Sequence, residues 1–206
     1  GSVIHAMHNA LHEVKDHHTD AQDMRNMGGL KDKMSITYWS MLIATLAISG
    51  IPFFSGFLSK DAILAGTLSY YYTHQGWTIF LPIAGFGAAT ITAFYMFRLI
   101  FLTFFGKLAH EKLSSHIHES RLIMTFPLIL LSVLSFSLIF TLPYTANPID
   151  SHGWLTQAVP MIDSVAGLDM HLVEEGIHHA HNSAMLISLV VAAMGIILSI
   201  LFCSSP

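Results

Sequence analysis

The sequence predicts an all-α, polytopic membrane protein fragment with four transmembrane spans, the first of them a discontinuous helix. Three observations lead there. Hydrophobic residues make up 53% of the 206 positions and charged residues only 11%, whereas a soluble domain carries about 25% charged residues. Several runs are long enough and apolar enough to cross a bilayer, for which about 20 helical residues suffice. The run from Met34 to Tyr72 also holds residues that a continuous membrane helix avoids: Gly50, Pro52, Gly56 and the ionisable pair Lys60-Asp61. A proline inside a helix costs about 3 kcal/mol or more, and a lysine or aspartate at a bilayer centre about 2.5–3.5 kcal/mol on insertion scales. Non-helical backbone at that depth is tolerated only where protein or a water-filled cavity surrounds it. The least costly reading is a broken helix with a charged pair just past the break, an arrangement that marks ion sites in transport proteins.

Taken in order, residues 1–33 read as the cytoplasmic end of a preceding helix plus a loop, rich in charge and histidine. His5, His8 and His12 fall on one helical face. Residues 34–72 form the broken span, its halves running from Met34 to Gly50 and from Phe57 to Tyr72. Two short full spans are the alternative, and charge topology decides between them. Lysine and arginine concentrate in cytoplasmic loops; 106–121 holds Lys107, Lys112 and Arg121, while 69–78 and 143–181 hold none. One broken span puts both basic loops on the same side. Residues 73–105 are the next span, with Gly85, Ala89 and Ala93 at the four-residue spacing that lets membrane helices approach. The cytoplasmic loop 106–121 follows, then a span at 122–142. A periplasmic loop at 143–181 is interrupted by Pro148, Gly153, Pro160 and Gly167, with a possible interfacial helix at Trp154–Val165. The last span is 182–203. The ends of the chain are abrupt, and a piece of a longer polypeptide is expected.

Chemistry concentrates at the break. Lys60 is followed by about ten apolar or small residues before the next loop, so it is too deep to reach water easily. An amine held away from water binds its proton less firmly, which is what a carrier in a proton path requires. Asp61, its neighbour, points elsewhere because adjacent helical residues do not face each other; it caps the break or pairs with another helix. Arg98, the other basic residue outside the loops, snorkels to the interface or pairs with an acid. The clusters His17-His18, His116/His118 and His178/His179/His181 lack cysteine partners or a metal-binding helical spacing, and they read as solvated loop histidines. The net charge of −4 and the single cysteine, Cys203, point neither to nucleic acid nor to a disulfide framework. There is no Gly-rich phosphate loop, no cysteine ladder for iron–sulfur clusters and no haem attachment motif, so any redox chemistry lies in other chains.

Four stretches carry a family resemblance: Gly1-Ser2-Val3-Ile4-His5-Ala6, Gln22–Leu30, Ser49-Gly50-Ile51-Pro52 through Gly56–Asp61, and Phe97-Arg98-Leu99 through Phe104–Lys107. Together they resemble the C-terminal part of the antiporter-like L subunit (subunit 5 of mitochondria) of respiratory complex I, densely up to about Lys107. The resemblance implies a proton-translocating membrane subunit supplying an exit-side half-channel. Lys60 is then the protonatable carrier with Asp61 beside it, Gly50, Pro52 and Gly56 form the helix break, and Arg98, His5 and His8 give electrostatic support. It implies no cofactor or metal in this chain, with NADH, flavin, iron–sulfur clusters and quinone in partner subunits. Its partners are other membrane-arm subunits and the lipid bilayer, in a bacterial inner membrane rather than a mitochondrial one. Besides a distant third, a metal-binding module built on the loop histidines, two other readings remain open at this point. One is a subunit of an Mrp-type cation/proton antiporter or membrane-bound hydrogenase; the other is a structural or assembly subunit whose lysine is salt-bridged.

Overall fold

The computed structural model describes residues 1–16, 18–108, 111–136 and 170–203. Among them the regular elements are helices: α1 (Ser2–Glu13), α2 (Ser35–Ser49), α3 (Ser55–His74), α4 (Phe80–Phe104), α5 (Leu122–Leu134) and α6 (Met170–Cys203), with three short 3-10 turns. Two segments are long and apolar enough to cross a membrane: Gly76–Phe104, which includes α4, and His179–Cys203 within α6, with mean hydropathies of 1.6 and 2.8. The apolar helices α2 and α5 are shorter. Ile83 and Ile91 on α4, Ile123 and Phe126 on α5, and Val190 and Leu201 on α6 are all exposed. Contiguous apolar faces of this kind suit lipid or another apolar partner rather than water.

The expected boundaries shift in two places. The span expected at 122–142 is helical only to Leu134. There the backbone turns aside, Ser135 giving its carbonyl to the Ser55 amide at 2.8 Å and Phe136 forming an isolated antiparallel bridge with Phe54. The last helix starts at Met170 rather than at 182, so the segment around His178–His181 is helix and not loop. Its polar residues argued for a loop; packing overrides them, because Gly176, Ala180 and Ala184 form a small-residue stripe against α3. The interfacial helix expected at Trp154–Val165 lies outside the described residues.

The chain divides into two compact units. The first comprises Gly1–Thr45, Phe94–Leu134 and Ile197–Pro206. Its core gathers Val3, Met7 and Leu11 from α1 with Met27, Leu30, Met34, Tyr38, Ile100, Phe104 and Ile117. The α1 residues recur at helical spacing and bury one stripe of an amphipathic helix. The loop before α2 is fastened to the end of α4, the amides of Gly29 and Lys31 donating to the carbonyls of Phe105 and Phe104. Two of the stretches that carry the family resemblance thus meet in space. Glu119 serves the start of α2: Oε2 accepts from the amides of Ile36 and Thr37, and Oε1 from the Thr37 hydroxyl at 2.6 Å. The first amides of a helix have no partner within it, and a carboxylate there also meets the positive end of the helix dipole.

The second unit comprises Leu46–Ala93 and Ser135–Ile196, and it contains the interruption between α2 and α3. Its centre is the contact of Ala65 and Leu68 on α3 with Ala180 and Ala184 on α6, Tyr71 and Phe86 packing alongside. Gly176 approaches Ser69 closely. Higher numbers on α6 thus meet lower numbers on α3, and the two helices run antiparallel. From α4, Gly85 faces Leu64, whose Cδ2 would lie 3.0 Å from a Cβ placed there.

Candidate functional site

Helix α2 ends in a Schellman motif. The amide of Gly50 bonds the carbonyl of Ala47 at 3.1 Å, the amide of Ile51 bonds that of Leu46 at 3.2 Å, and Gly50 has φ +76°. This is the left-handed residue that terminates a helix, where glycine alone avoids a Cβ penalty. A turn follows. The Phe54 amide returns to the Ile51 carbonyl at 3.4 Å, with Pro52 and then Phe53 at φ +77° in the middle positions. Proline pre-sets the first of these, while the second belongs to glycine in a type II turn; a bulky residue there is strained. Phe53 is also 56% exposed, so little burial offsets that strain.

The second helix begins at Ser55, whose amide is satisfied by Ser135. Gly56 is the second residue of α3, in its first turn after the interruption. Its missing side chain serves close approach: a Cβ at Gly56 would overlap the carbonyl oxygen of Ala47 and stand 2.8 Å from the carbonyl carbon. One turn on, Lys60 lies across Gly50; a Cβ at Gly50 would be 3.0 Å from Lys60 Cδ and 4.0 Å from Nζ. As α3 advances from Gly56 to Lys60, its neighbour on the other strand of chain advances from Ala47 to Gly50. The second helix therefore starts beside the last turn of the first and continues in the same sense.

Lys60 Nζ is shut off from solvent and has no hydrogen-bond partner among the described residues. It sits over the carboxyl end of α2, where carbonyls without intrahelical partners carry partial negative charge. Ser49, the residue before Gly50, also has a buried Oγ without a partner.

Asp61 faces another way, as its position next to Lys60 requires. Its Oδ2 lies 2.8 Å from Nδ1 of His181 on α6; the aspartate side chain is 5% exposed and the imidazole 39%. Its Oδ1 is buried with no partner among the described residues. Of the two roles open for Asp61 in the sequence, the structure has the pairing with another helix. His181 is the site residue that sequence reasoning passed over. The available signal was the stripe Gly176/Ala180/Ala184, which fixes the packed face of α6 and places His181 at its edge. Arg98, His5 and His8 belong to the first compact unit. Arg98 is exposed on α4 and His5 and His8 are exposed on α1, with His5 Nε2 3.2 Å from Asn9 Nδ2.

Residues 2–92 match the family described as NADH:quinone oxidoreductase/Mrp antiporter, transmembrane, a range that covers α2, the interruption, α3 and both members of the Lys60-Asp61 pair. Among similar proteins, NADH-ubiquinone oxidoreductase chain 5 of Dictyostelium citrinum is 44% identical over 136 residues, 66% of this chain and 18% of that protein. NADH-quinone oxidoreductase subunit L of Rhodobacter capsulatus is 46% identical over 146 residues, covering 65% and 18%. NAD(P)H-quinone oxidoreductase chain 5 of a Picosynechococcus strain is 46% identical over 153 residues, covering 65% and 21%. The chain spans about a fifth of the length of these relatives. With its membrane-length apolar segments and these matches, it belongs to the antiporter-like membrane family that includes subunit L, or chain 5, of the NADH:quinone oxidoreductases.

Proposed function

We propose that this chain forms the exit-side half-channel of a proton-translocating, antiporter-like membrane subunit of NADH:quinone oxidoreductase, with Lys60 as its protonatable carrier. The observation that carries the reading is the placement of Lys60 Nζ: buried, without a side-chain partner among the described residues, and laid over the last turn of α2. An isolated ammonium away from water is costly, and the partial charge at a helix end is worth only about 0.3–2 kcal/mol. A change in nearby charge then moves the proton on or off the amine. Asp61 is the acidic group on the outlet side. In this reading α2 and α3 together make one broken span, and the overlap of their ends supports that choice over two separate spans. Four spans then run through 34–72, 73–105, the helix that starts at Leu122 and the segment ending at Cys203, with 1–33 and 106–121 cytoplasmic.

The electron-carrying groups, namely NADH, flavin, iron–sulfur clusters and quinone, belong to partner subunits. This chain's residues only hold and move protons, within the membrane arm and in contact with lipid, in a bacterial inner membrane. Arg98, His5 and His8 give electrostatic support.

The test is replacement of Lys60 by Met or Ala in the full-length subunit of the assembled complex, with proton uptake into vesicles followed during quinone reduction. Assembly is expected to persist and pumping to fall at least several-fold; undiminished pumping would remove the reading. The matched family also includes Mrp antiporters, which favours as a second reading a cation/proton antiporter subunit with the same lysine. Co-purification with iron–sulfur subunits separates the two.

A further inference from the structure

We infer that His181 takes the proton from Asp61 and delivers it to the polar end of α6, so that the two side chains act as a relay rather than as a structural ion pair. This rests on the reading of Lys60 and Asp61 as proton-handling groups, and adds to it the residue through which the proton leaves.

Three features of the pair carry the inference. Its two members span a gradient of exposure, from an aspartate that is 5% exposed to an imidazole that is 39% exposed, at a separation of 2.8 Å. The second carboxylate oxygen, Oδ1, is buried without a partner among the described residues. A buried ion pair kept for stability needs its remaining lone pairs satisfied, and this one leaves half of the carboxylate open to receive a proton from elsewhere. Finally, the apolar segment of α6 begins at His179, so His181 stands within one turn of the boundary between the apolar helix and the polar sequence before it. Histidine changes charge within a narrow range around neutrality and has two ring nitrogens on opposite sides. Among the described residues, Lys60 precedes Asp61 on α3 and the exposed His179 lies two residues before His181 on α6.

The transfer balances as follows. Asp61, protonated on the open oxygen Oδ1, turns about its Cβ–Cγ bond so that this O–H faces Nδ1 of neutral His181; the O–H bond breaks and an N–H bond forms, leaving carboxylate and imidazolium. The imidazolium then releases the proton on Nε2 to water. The neutral ring, now protonated at Nδ1, resets by a ring flip or by exchange of both ring protons through water.

The experiment uses the complete complex with His181→Gln and, separately, His181→Arg. Both side chains can still donate a hydrogen bond to Asp61, and neither can pass a proton on. Assembly at the normal level, a several-fold loss of pumping in both variants, and recovery on adding millimolar imidazole are expected. Normal pumping in either assembled variant overturns the relay. Loss of pumping without imidazole rescue, or failure of both variants to assemble, assigns the pair a structural role and also overturns it. Lys60→Met is measured alongside. If it abolishes pumping while the His181 variants pump normally, only the relay fails; if it leaves pumping intact, the underlying reading fails.

Discussion

Replacing Gly56 with alanine asks whether the seating of α3 on α2 fixes the position of Lys60. A Cβ at Gly56 would stand 2.8 Å from the carbonyl carbon of Ala47 and closer still to its oxygen. Carbon atoms in contact settle about 3.5–4.0 Å apart, so the first turn of α3 has to retreat by roughly 1 Å. The obstacle is backbone, so no side chain can rotate out of the way. Overpacking of this kind costs about 1–3 kcal/mol. Lys60 is one turn further along and moves with the helix, and a misplacement of about 1 Å at a reacting group costs on the order of 100-fold in rate. The same substitution at Gly66, where a Cβ meets nothing within 4 Å, should stabilise the helix by about 0.5–1 kcal/mol and leave pumping alone. Thermal denaturation of the assembled complex and proton uptake into vesicles read both effects. If Gly56→Ala melts at or above the temperature of the unsubstituted complex and pumps normally, the packing argument is wrong.

Two further substitutions probe the supports of the site. Phe53→Gly should raise stability by about 0.5–1 kcal/mol, because relief of a left-handed conformation, about 1–2 kcal/mol, outweighs the flexibility glycine adds to the unfolded chain; a lower melting temperature would show that the exposed ring contributes more than its strain removes. Glu119→Ala should cost about 1–2 kcal/mol, the value of a helix cap, and speed amide hydrogen exchange at Ile36 and Thr37. Unchanged exchange at those two amides would mean that the carboxylate does not serve the start of α2.

The end of α2 was readable because its cause is local. Gly50 followed by Pro52 stops a helix by backbone chemistry alone, and α2 does end at Ser49. The restart was not readable to the residue. It falls at Ser55 because the Ser55 amide finds the Ser135 carbonyl, a partner that no nearby pattern encodes. The same limit explains Gly56, which reads as a flexible hinge residue until the Ala47 carbonyl is seen against it. Lys60 stood out from hydropathy, since an ammonium deep in an apolar run is conspicuous in any context. Its surroundings did not, because the seating of α3 beside the last turn of α2 depends on contacts between segments rather than on either segment's own residue types. His181 was hidden by its neighbours: a polar, histidine-rich stretch looks solvated, and only the docking of Ala180 and Ala184 on α3 makes it helical and half-buried.

The hydrogen bond from Ser55 to Ser135 also bears on biogenesis. The kink is not complete when its own residues leave the ribosome, because the carbonyl that receives the Ser55 amide is made only after α3, α4 and α5 have been synthesised. Until then the start of α3 has a donor with nowhere to go in an apolar medium. The nascent segment would favour continuous helix, or shelter with an insertion factor, and the geometry around Lys60 would lock only when the end of α5 arrives.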